Sequence, residues 1–297
     1  MKKTSILHLI TTAKNASPFD VNMAYDAGYE KIMPYTDVHL DEVVPLTQDA
    51  MFSRSPSGVK REALFFGGRD IHLALDMQKA AKEALFPPFE MSTFSDPSGA
   101  FTTAAAMVAK VDAYFKSNNQ TLSEQIVAIF GANGTVGATA ALIAAKHGAT
   151  VHMMAHSSME KMQAHVDNMQ QRYDVKLTVI DGTSAAAKKS ALDNATVCLC
   201  ATPAGVRVLD LTDFSASPSL KVMADVNAVA PSAIEAVEVM TNNTVIEGTD
   251  ITGFGALAIG QLKYITQNKL LESMLESDAA LHLDYHHAFE FACANAT

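Results

Sequence analysis

Glycines at regular spacing form the clearest chemical signal in this 297-residue chain. Gly131, Gly134 and Gly137 follow a continuous apolar run and open an Ala-rich segment with the composition of a helix. Between a buried strand and a helix, such glycines permit a tight turn, the approach of a pyrophosphate to the backbone, and close packing of helix on strand. The free N–H groups at the start of the helix favour an anion. The pattern predicts dinucleotide binding, and its G-x-x-G-x-x-G spacing leaves a tight turn that binds nothing as the alternative. The residues assigned to the cofactor in this loop are Gly131, Asn133, Gly134, Thr135, Val136 and Gly137.

The segment after the next predicted strand, 150–154, bears on the choice of cofactor. It reads His156-Ser157-Ser158 and contains no carboxylate before Glu160. An Asp or Glu at this position accepts from the ribose hydroxyls of NAD, and its absence leaves room for the 2′-phosphate of NADP. No Arg stands there to bind that phosphate in a bidentate manner. We expect NADP to be accepted and NAD to be used as well, with His156 and Ser157 as donors, unless these side chains only cap the following helix.

A second loop at the same predicted sheet edge follows residues 196–200. In doubly wound folds, ligands bind beyond the carboxyl ends of the strands. Ala201, Thr202 and Pro203 are therefore assigned to the middle or the nicotinamide end of the cofactor. A simple turn through Pro203 and Gly205 is the competing interpretation.

One lysine lies in a stretch where lysine is unusual. Lys263 interrupts the apolar residues of 256–265. Buried there, it would lose its charge through desolvation, pair with a carboxylate, or bind a substrate. We adopt a substrate-orienting hydrogen bond as the hypothesis, and a side chain that reaches water along a helix surface is the alternative. Candidate polar partners of Lys263 or of the substrate are Asp20, Asp26, Asp96 and Asp225, with Asn227 close to the last of them in sequence.

Strand and helix patterns alternate along most of the chain, which predicts an α/β fold with parallel sheets. The polar stretch 117–123 separates two such series and indicates a domain junction. We predict an N-terminal α/β domain and a Rossmann-type domain with a doubly wound parallel sheet. The Rossmann-type domain is predicted to span residues 121–254, and the pattern from about residue 255 onward is helical.

Charge and composition argue against several classes of function. The chain has 32 acidic and 22 basic residues, a net charge of -10, whereas a nucleic-acid partner needs a basic face. No apolar run reaches the ~18 residues of a membrane span. Three cysteines do not predict a disulfide network, which fits a cytoplasmic location. His282 and His286 have a spacing that suits a metal, but no further ligand pattern accompanies them, and no metal is expected.

Seven segments occur together in an order that resembles a known family. They are residues 17–21 (SPFDV), 25–28 (YDAG), 66–68 (FGG), 102–106 (TTAAA), the glycine loop 131–137, 224–228 (ADVNA) and 254–263 (FGALAIGQLK). In this order they resemble the bacterial NAD(P)-dependent methylene-tetrahydromethanopterin dehydrogenases, over almost the whole chain. Partly because no Arg follows the predicted strand 150–154, the chain is more similar to the branch that uses both NAD and NADP than to the strictly NADP-dependent branch.

The resemblance implies a reaction and an architecture. Methylene-tetrahydromethanopterin and NAD(P)⁺ would give the methenyl form and NAD(P)H, as a step of formaldehyde oxidation in a methylotroph. The subunit would have two domains with a cleft between them, and the C-terminal helices 255–297 would join residues 1–120 in a domain for substrate and catalysis. It would assemble as a homotrimer.

The resemblance also implies site residues. The active-site positions of the family fall on Phe19, Thr103 and Lys263. A family histidine four residues after that lysine is Gln267 here, which can form hydrogen bonds but cannot titrate. The residues assigned to the pterin substrate are Asp20, Gln267, Asp96 and Asn227.

Four other functions fit parts of the same pattern. A methylene-tetrahydrofolate dehydrogenase or a dihydropterin reductase would keep both the glycine loop and Lys263, and substrate preference distinguishes them. A shikimate-type dehydrogenase needs a Lys–Asp pair acting on a hydroxyl proton, and Ser17-Pro18-Phe19 is not the serine pattern expected there. A regulator that only senses NAD(P) would usually carry a DNA-binding or partner module, and no basic helix-turn-helix segment is evident.

Overall fold

The computed structural model describes Lys3 to Ala296 as a series of alternating strands and helices. The strands are β1 (Ile6–Ile10), β2 (Lys31–Tyr35), β3 (Glu62–Phe66), β4 (Ser92–Ser95), β5 (Ile126–Phe130), β6 (Thr150–Ala155), β7 (Thr178–Asp181), β8 (Val197–Cys200), β9 (Val222–Asp225), β10 (Asn242–Val245), β11 (Thr252–Phe254) and β12 (His282–Leu283). The α-helices are α1 (Pro18–Asp26), α2 (Val43–Phe52), α3 (Pro56–Val59), α4 (Ile71–Ala84), α5 (Ala100–Ser117), α6 (Thr135–Lys146), α7 (Met159–Tyr173), α8 (Ala185–Asp193), α9 (Leu211–Phe214), α10 (Ala256–Glu276) and α11 (Tyr285–Ala294). Short 3₁₀ turns span Leu40–Glu42, Pro97–Gly99 and Leu122–Glu124.

Side-chain caps determine where two of the helices begin. At the start of α1 the Ser17 hydroxyl accepts from the Asp20 N–H at 3.3 Å. At the start of α4 the Asp70 carboxylate accepts from the N–H groups of His72 at 2.8 Å and Leu73 at 3.0 Å. Each cap satisfies N–H groups that have no partner inside the helix, and thereby fixes the first turn.

The expectation that the chain is helical from about residue 255 onward is wrong. Helix α10 ends at Glu276, and His282–Leu283 forms strand β12, which pairs in parallel with β4. A strand of two residues is too short to show any periodicity, so only its pairing with β4 reveals it. The edge strand β10 is exposed along its whole length, and it therefore lacks the apolar alternation that marks a strand in a sequence.

The chain divides into two compact units. Unit 1 comprises the residues up to Thr102 together with Tyr264–Phe291, and unit 2 comprises Thr103–Lys263 together with the residues from Ala292 onward. The division falls within α5 and within α10. The predicted segments 1–120 with 255–297, and 121–254, overlap these units but have different boundaries.

Unit 1 contains a parallel sheet in the order β12-β4-β3-β1-β2. The chain moves from β1 to β2 on one side and then crosses to β3 and β4 on the other, so the order reverses between β1 and β3. On one face of this sheet, Ile10, Leu64 and Phe66 pack with Met51 of α2 and Met77 of α4. These apolar contacts hold α2 and α4 against the sheet.

Unit 2 contains a second sheet in the order β10-β11-β9-β8-β5-β6-β7. Every pair is parallel except β10 with β11. The order reverses between β5 and β8, which makes the sheet doubly wound. Its core includes Phe130, Cys198, Phe214 and Met223, all at most 4% exposed. The predicted α/β class with a Rossmann-type sheet is therefore confirmed, and the reversal point is where ligands bind in such folds.

Candidate functional site

The glycine loop joins β5 to α6 at the reversal point of unit 2. Gly131 has φ +76°, a backbone conformation that favours glycine, and a Cβ there would overlap the carbonyl oxygen of Ala201. A Cβ on Gly137 would overlap the carbonyl oxygen of Gly131. A Cβ on Gly134 would lie 3.3 Å from that same oxygen, a tight contact that small shifts relieve. Packing of the loop thus requires glycine at 131 and 137. It does not require glycine at 134, where the sequence predicts that a pyrophosphate approaches the backbone.

The start of α6 carries donors that a bound dinucleotide would satisfy. Gly134 is the N-cap residue and supplies no side-chain cap, so the first-turn N–H groups receive no bond from it. The hydroxyl oxygen of Thr202, in the loop packed against Gly131, is buried and has no hydrogen-bond partner among residues 3–296. A buried polar atom without a partner in the protein calls for a ligand or a water. The residues present therefore fit a dinucleotide whose pyrophosphate binds at the helix start.

His165 of α7 contacts the glycine loop, and the sequence analysis did not identify it. Its ring hydrogen-bonds with the backbone of Ala132, which lies between the first two loop glycines. Burial lowers the pKa of His165, and the bond to Ala132 opposes that effect. Its Nε2 atom is buried without a hydrogen-bond partner in the described part of the chain. No sequence motif marks this residue, because the contact joins a helix to a loop that lies one strand away.

Of the three residues that follow β6 and precede α7, one caps the helix and two are exposed. The Ser158 hydroxyl accepts from the Lys161 N–H at 3.2 Å and caps α7. His156 and Ser157 are exposed and are not the cap of that helix. The alternative that these side chains only cap the helix thus holds for Ser158. His156 and Ser157, which were assigned to the cofactor, are accessible at the carboxyl end of the strand.

Asp225 and Asn227, after β9, form a buried network of backbone contacts. The Asp225 carboxylate accepts from the N–H groups of Asn227, Ala233 and Ile234 at 2.7–3.1 Å. Burial raises the pKa of Asp225, and these three N–H groups oppose that rise. Because its carboxylate is occupied in this way, Asp225 orders the loop that follows the strand.

Asn227 connects two loops with its side-chain amide. Its Oδ1 accepts from the N–H groups of Gly205 at 3.2 Å and Val229 at 3.0 Å, and its Nδ2 donates to Pro231 O at 3.1 Å. The residue is 4% exposed. The geometry therefore makes Asn227 a brace for the loops beyond β8 and β9, and its assignment to the substrate stays a prediction.

Unit 1 brings two of the predicted substrate residues together. Gln267 of α10 donates from Nε2 to the Asp20 carboxylate at 2.9 Å, and both residues are buried. Phe19 lies next to Asp20 in the first turn of α1 and is 47% exposed. The alternative of a core phenylalanine is inconsistent with this exposure, and the role of Phe19 as a platform for a flat ring system stays a prediction.

Asp96 follows the carboxyl end of β4 and caps the start of α5. Its carboxylate accepts from the N–H groups of Phe101 at 2.9 Å and Thr102 at 3.2 Å, and from the Thr102 hydroxyl at 2.6 Å. The residue is completely buried. The structure therefore gives Asp96 a capping function, and its predicted contact with a substrate stays a prediction.

Thr103 and Lys263 are the predicted active-site residues that belong to unit 2. Thr103 is half-buried in the first turn of α5. Lys263 is only 8% exposed in α10, one helical turn before Gln267. The alternative of a lysine that extends into water is inconsistent with this burial.

Within residues 3–296, none of the helices has the length and apolar character needed to cross a membrane. In the same range, no cluster of at least three His, Cys, Asp or Glu side chains is placed to hold a metal ion. His282 instead hydrogen-bonds to Thr93 at 3.0 Å, and His287 pairs with Asp284 at 3.0 Å.

Comparison with solved structures supports the fold alone. Shikimate 5-dehydrogenase from Listeria monocytogenes, solved with shikimate and NAD, is 14% identical with a TM-score of 0.51. The match covers 92% of this chain and 91% of that one. The two chains thus share a fold, and so low an identity carries no statement about function.

Sequence comparisons identify the family. A model described as the N-terminal part of methylene-tetrahydromethanopterin dehydrogenase matches residues 18–98. The NAD(P)-dependent methylenetetrahydromethanopterin dehydrogenase of Methylorubrum extorquens is 43% identical over 289 residues, which cover 97% of both chains. The bifunctional protein MdtA of the same organism is 28% identical and covers 92% of both. The chain therefore belongs to the methylenetetrahydromethanopterin dehydrogenase family.

Proposed function

We propose that this protein oxidises methylene-tetrahydromethanopterin to the methenyl form with NAD(P)⁺ as the hydride acceptor. The C–H bond of the methylene carbon breaks, and its two electrons leave with the hydrogen as hydride. The carbon becomes part of an amidinium-like cation that its two neighbouring nitrogens stabilise. No proton moves in this step, so the balance is complete with one hydride transferred.

The similarity to the Methylorubrum extorquens dehydrogenase, 43% over 97% of both chains, carries this proposal. The glycine loop adds independent support, because its first and third glycines permit the close packing of a nucleotide-binding turn. A regulator that binds NAD(P) without turnover would share the loop, but would not require the buried polar residues of α10.

On the cofactor side, the chain supplies donors and position. The nicotinamide accepts the hydride when it is bound. The first-turn N–H groups of α6, around Thr135 and Val136, bind the pyrophosphate, and Gly134 lets it approach the backbone. The Thr202 hydroxyl, buried without a partner within residues 3–296, donates to the cofactor beyond β8.

On the substrate side, the residues orient a pterin and tolerate the positive charge of the product. Phe19 presents an exposed ring to the flat pterin. The Gln267 amide holds the Asp20 carboxylate in place at 2.9 Å, so that the carboxylate can accept a hydrogen bond from the substrate. Thr103 donates from the first turn of α5. Lys263 binds the substrate away from the reacting carbon, because an ammonium close to a developing cation would oppose the reaction.

Purified protein mixed with methylene-tetrahydromethanopterin tests the proposal, with nicotinamide reduction followed for NAD⁺ and NADP⁺ separately. We expect turnover with both cofactors and a much lower rate with methylene-tetrahydrofolate. Cofactor binding without turnover on either pterin would contradict the proposed reaction. Preference for the folate would leave the hydride transfer intact but would replace the substrate.

Lys263→Met gives a sharper test of the substrate side. A lost hydrogen bond to a charged group costs about 1.5–3 kcal/mol, so kcat/KM should fall by about tenfold to 150-fold while cofactor affinity is unchanged. Lys269→Met is the matched control, because Lys269 pairs with Glu272 on the exposed part of the same helix. Equal kcat/KM values for the two variants would show that Lys263 does not bind the substrate.

The cellular setting belongs to the proposal as well. We propose a cytoplasmic enzyme of formaldehyde oxidation in a methylotroph, and the free thiols of the three cysteines suit a reducing compartment. A homotrimer is proposed from the resemblance, supported by the apolar side chains of Met240, Val245 and Leu257 that unit 2 exposes. Light scattering after gel filtration measures this state, and a monomer at micromolar concentration would contradict it.

A further inference from the structure

A carboxylate stands at the nucleotide-binding edge of unit 2, one strand away from its usual place. In NAD-binding Rossmann domains, an Asp or Glu at the end of the second strand accepts from the adenosine ribose. Here that strand is β6, and it ends at Ala155. The neighbouring strand β7 ends at Asp181, which is in register with Ala155.

The two strand ends are held together by their backbones. The Gly182 N–H donates to the carbonyl of Ala155 at 2.9 Å, directly after Asp181. A Cβ on Gly182 would lie 3.0 Å from the same carbonyl oxygen, so the two ends pack closely. Adjacent strands are about 4.8 Å apart, which is less than the combined length of an Asp side chain and one hydrogen bond of about 2.8 Å that it accepts. The carboxylate of Asp181 is therefore within reach of the position that a carboxylate on β6 would serve.

The carboxylate of Asp181 is also oriented and ionised. The Thr183 N–H donates to Asp181 Oδ1 at 2.9 Å. This bond and one from the Thr183 hydroxyl hold the pKa of Asp181 below its ordinary value. The side chain is exposed, so its remaining lone pairs are accessible to a ligand.

We infer that Asp181 binds the adenosine ribose hydroxyls of NAD and opposes the 2′-phosphate of NADP by its charge, which makes it the residue that sets the ratio of the two cofactors. This inference rests on the proposed function only through NAD(P) binding. Exposed His156 and Ser157 donate to the same region and favour the phosphate. The opposing effects of these donors and of Asp181 account for a site that accepts both cofactors.

The inference is tested by fluorescence titration of NADH and NADPH without any pterin. Asp181→Asn keeps an acceptor for Thr183 and removes the charge. A unit charge a few ångströms from a phosphate dianion near water predicts a shift of about tenfold in the ratio of the two dissociation constants, toward NADPH. Asp250→Asn is the control, because this exposed residue lies between β10 and β11 at the opposite edge of the sheet and the substitution changes the net charge equally.

Three further measurements separate the charge of Asp181 from other effects. Raising the salt to about 0.5 M shortens the screening length to about 4 Å, so the difference between D181N and the wild type should shrink, whereas a distorted turn would persist. Glu160→Gln tests the other carboxylate near this edge, in the first turn of α7. Asp181→Ser provides a second variant with a side-chain acceptor if thermal unfolding shows that D181N is destabilised.

The outcomes separate this inference from the proposed function. A shift toward NADPH in D181N alone supports it. An unmoved ratio in D181N, an equal shift in D250N, or a shift in E160Q alone overturns it while leaving the proposed function intact. A wild-type protein that binds neither nucleotide overturns both.

Discussion

Replacement of the loop glycines by alanine should separate folding from cofactor binding. In Gly137→Ala the new methyl group overlaps the carbonyl oxygen of Gly131 and lies 2.8 Å from its carbonyl carbon, both of them backbone atoms that cannot rotate away. Overpacking of this kind costs about 1–3 kcal/mol. For domains of 150–250 residues each kcal/mol lowers Tm by about 2–4 °C, so we expect a fall of about 2–12 °C.

Gly134→Ala should weaken cofactor binding and leave the thermal stability nearly unchanged. Gly134 has φ -81° and ψ 164°, which alanine adopts without strain, and the nearest atom to its Cβ is 3.3 Å away. Alanine is a poor N-cap residue, and this costs about 1 kcal/mol or less of unfolding free energy. The methyl group stands where the pyrophosphate approaches the backbone, so the dissociation constant of NADPH should rise by at least about tenfold, or 1.4 kcal/mol.

Thermal unfolding and NADPH titration on the same samples make the comparison. Gly260→Ala serves as the stability control, because nothing lies within 4 Å of its Cβ and alanine in a helix is favoured by about 1 kcal/mol. The reasoning is refuted if G134A loses as much Tm as G137A, or if G134A binds NADPH like the wild type.

Two further predictions concern unit 1. The Glu62 carboxylate is 1% exposed and pairs with Arg54 Nε at 2.5 Å, so Arg54→Ala leaves it without its main partner and the unfolding free energy in urea should fall by about 3 kcal/mol. The control Lys79→Ala removes an exposed ion pair and should cost less than about 1 kcal/mol. Equal losses in the two variants would contradict the argument from burial. The hydrogen bond with Asp284 raises the pKa of His287, and burial of the ring opposes this rise. The pKa of Asp284 is lowered, because the bond from His287 outweighs the effect of burial. The ion pair therefore stabilises the fold above the ordinary pKa of the carboxyl and is lost as pH rises through the pKa of His287. His287→Asn should accordingly lower Tm more at pH 5.5 than at pH 8.5, and an equal loss at both would argue against the pair.

Much of unit 2 follows from local sequence because its signals are short-range. The apolar run of β5, the glycine loop and the helix after it are contiguous, so spacing alone predicts the turn and its ligand. Likewise Ser17 and Asp70 begin their helices through bonds to residues two or three positions away. Resemblance in the order of seven segments extended this to the family, because such an order reflects the whole chain.

The sequence by itself thus determined the α/β class, the nucleotide loop and the residues available for a site. Only the tertiary structure decided which of those residues already have partners, since Asp96 accepts hydrogen bonds from the start of α5 and Asn227 bonds to the loops after β8 and β9. It also decided that Gln267 meets Asp20, 247 positions away, and that Asp181 ends beside Ala155. The physical reason is that hydrogen bonds and strand register between distant segments depend on how the elements pack, which no local spacing encodes.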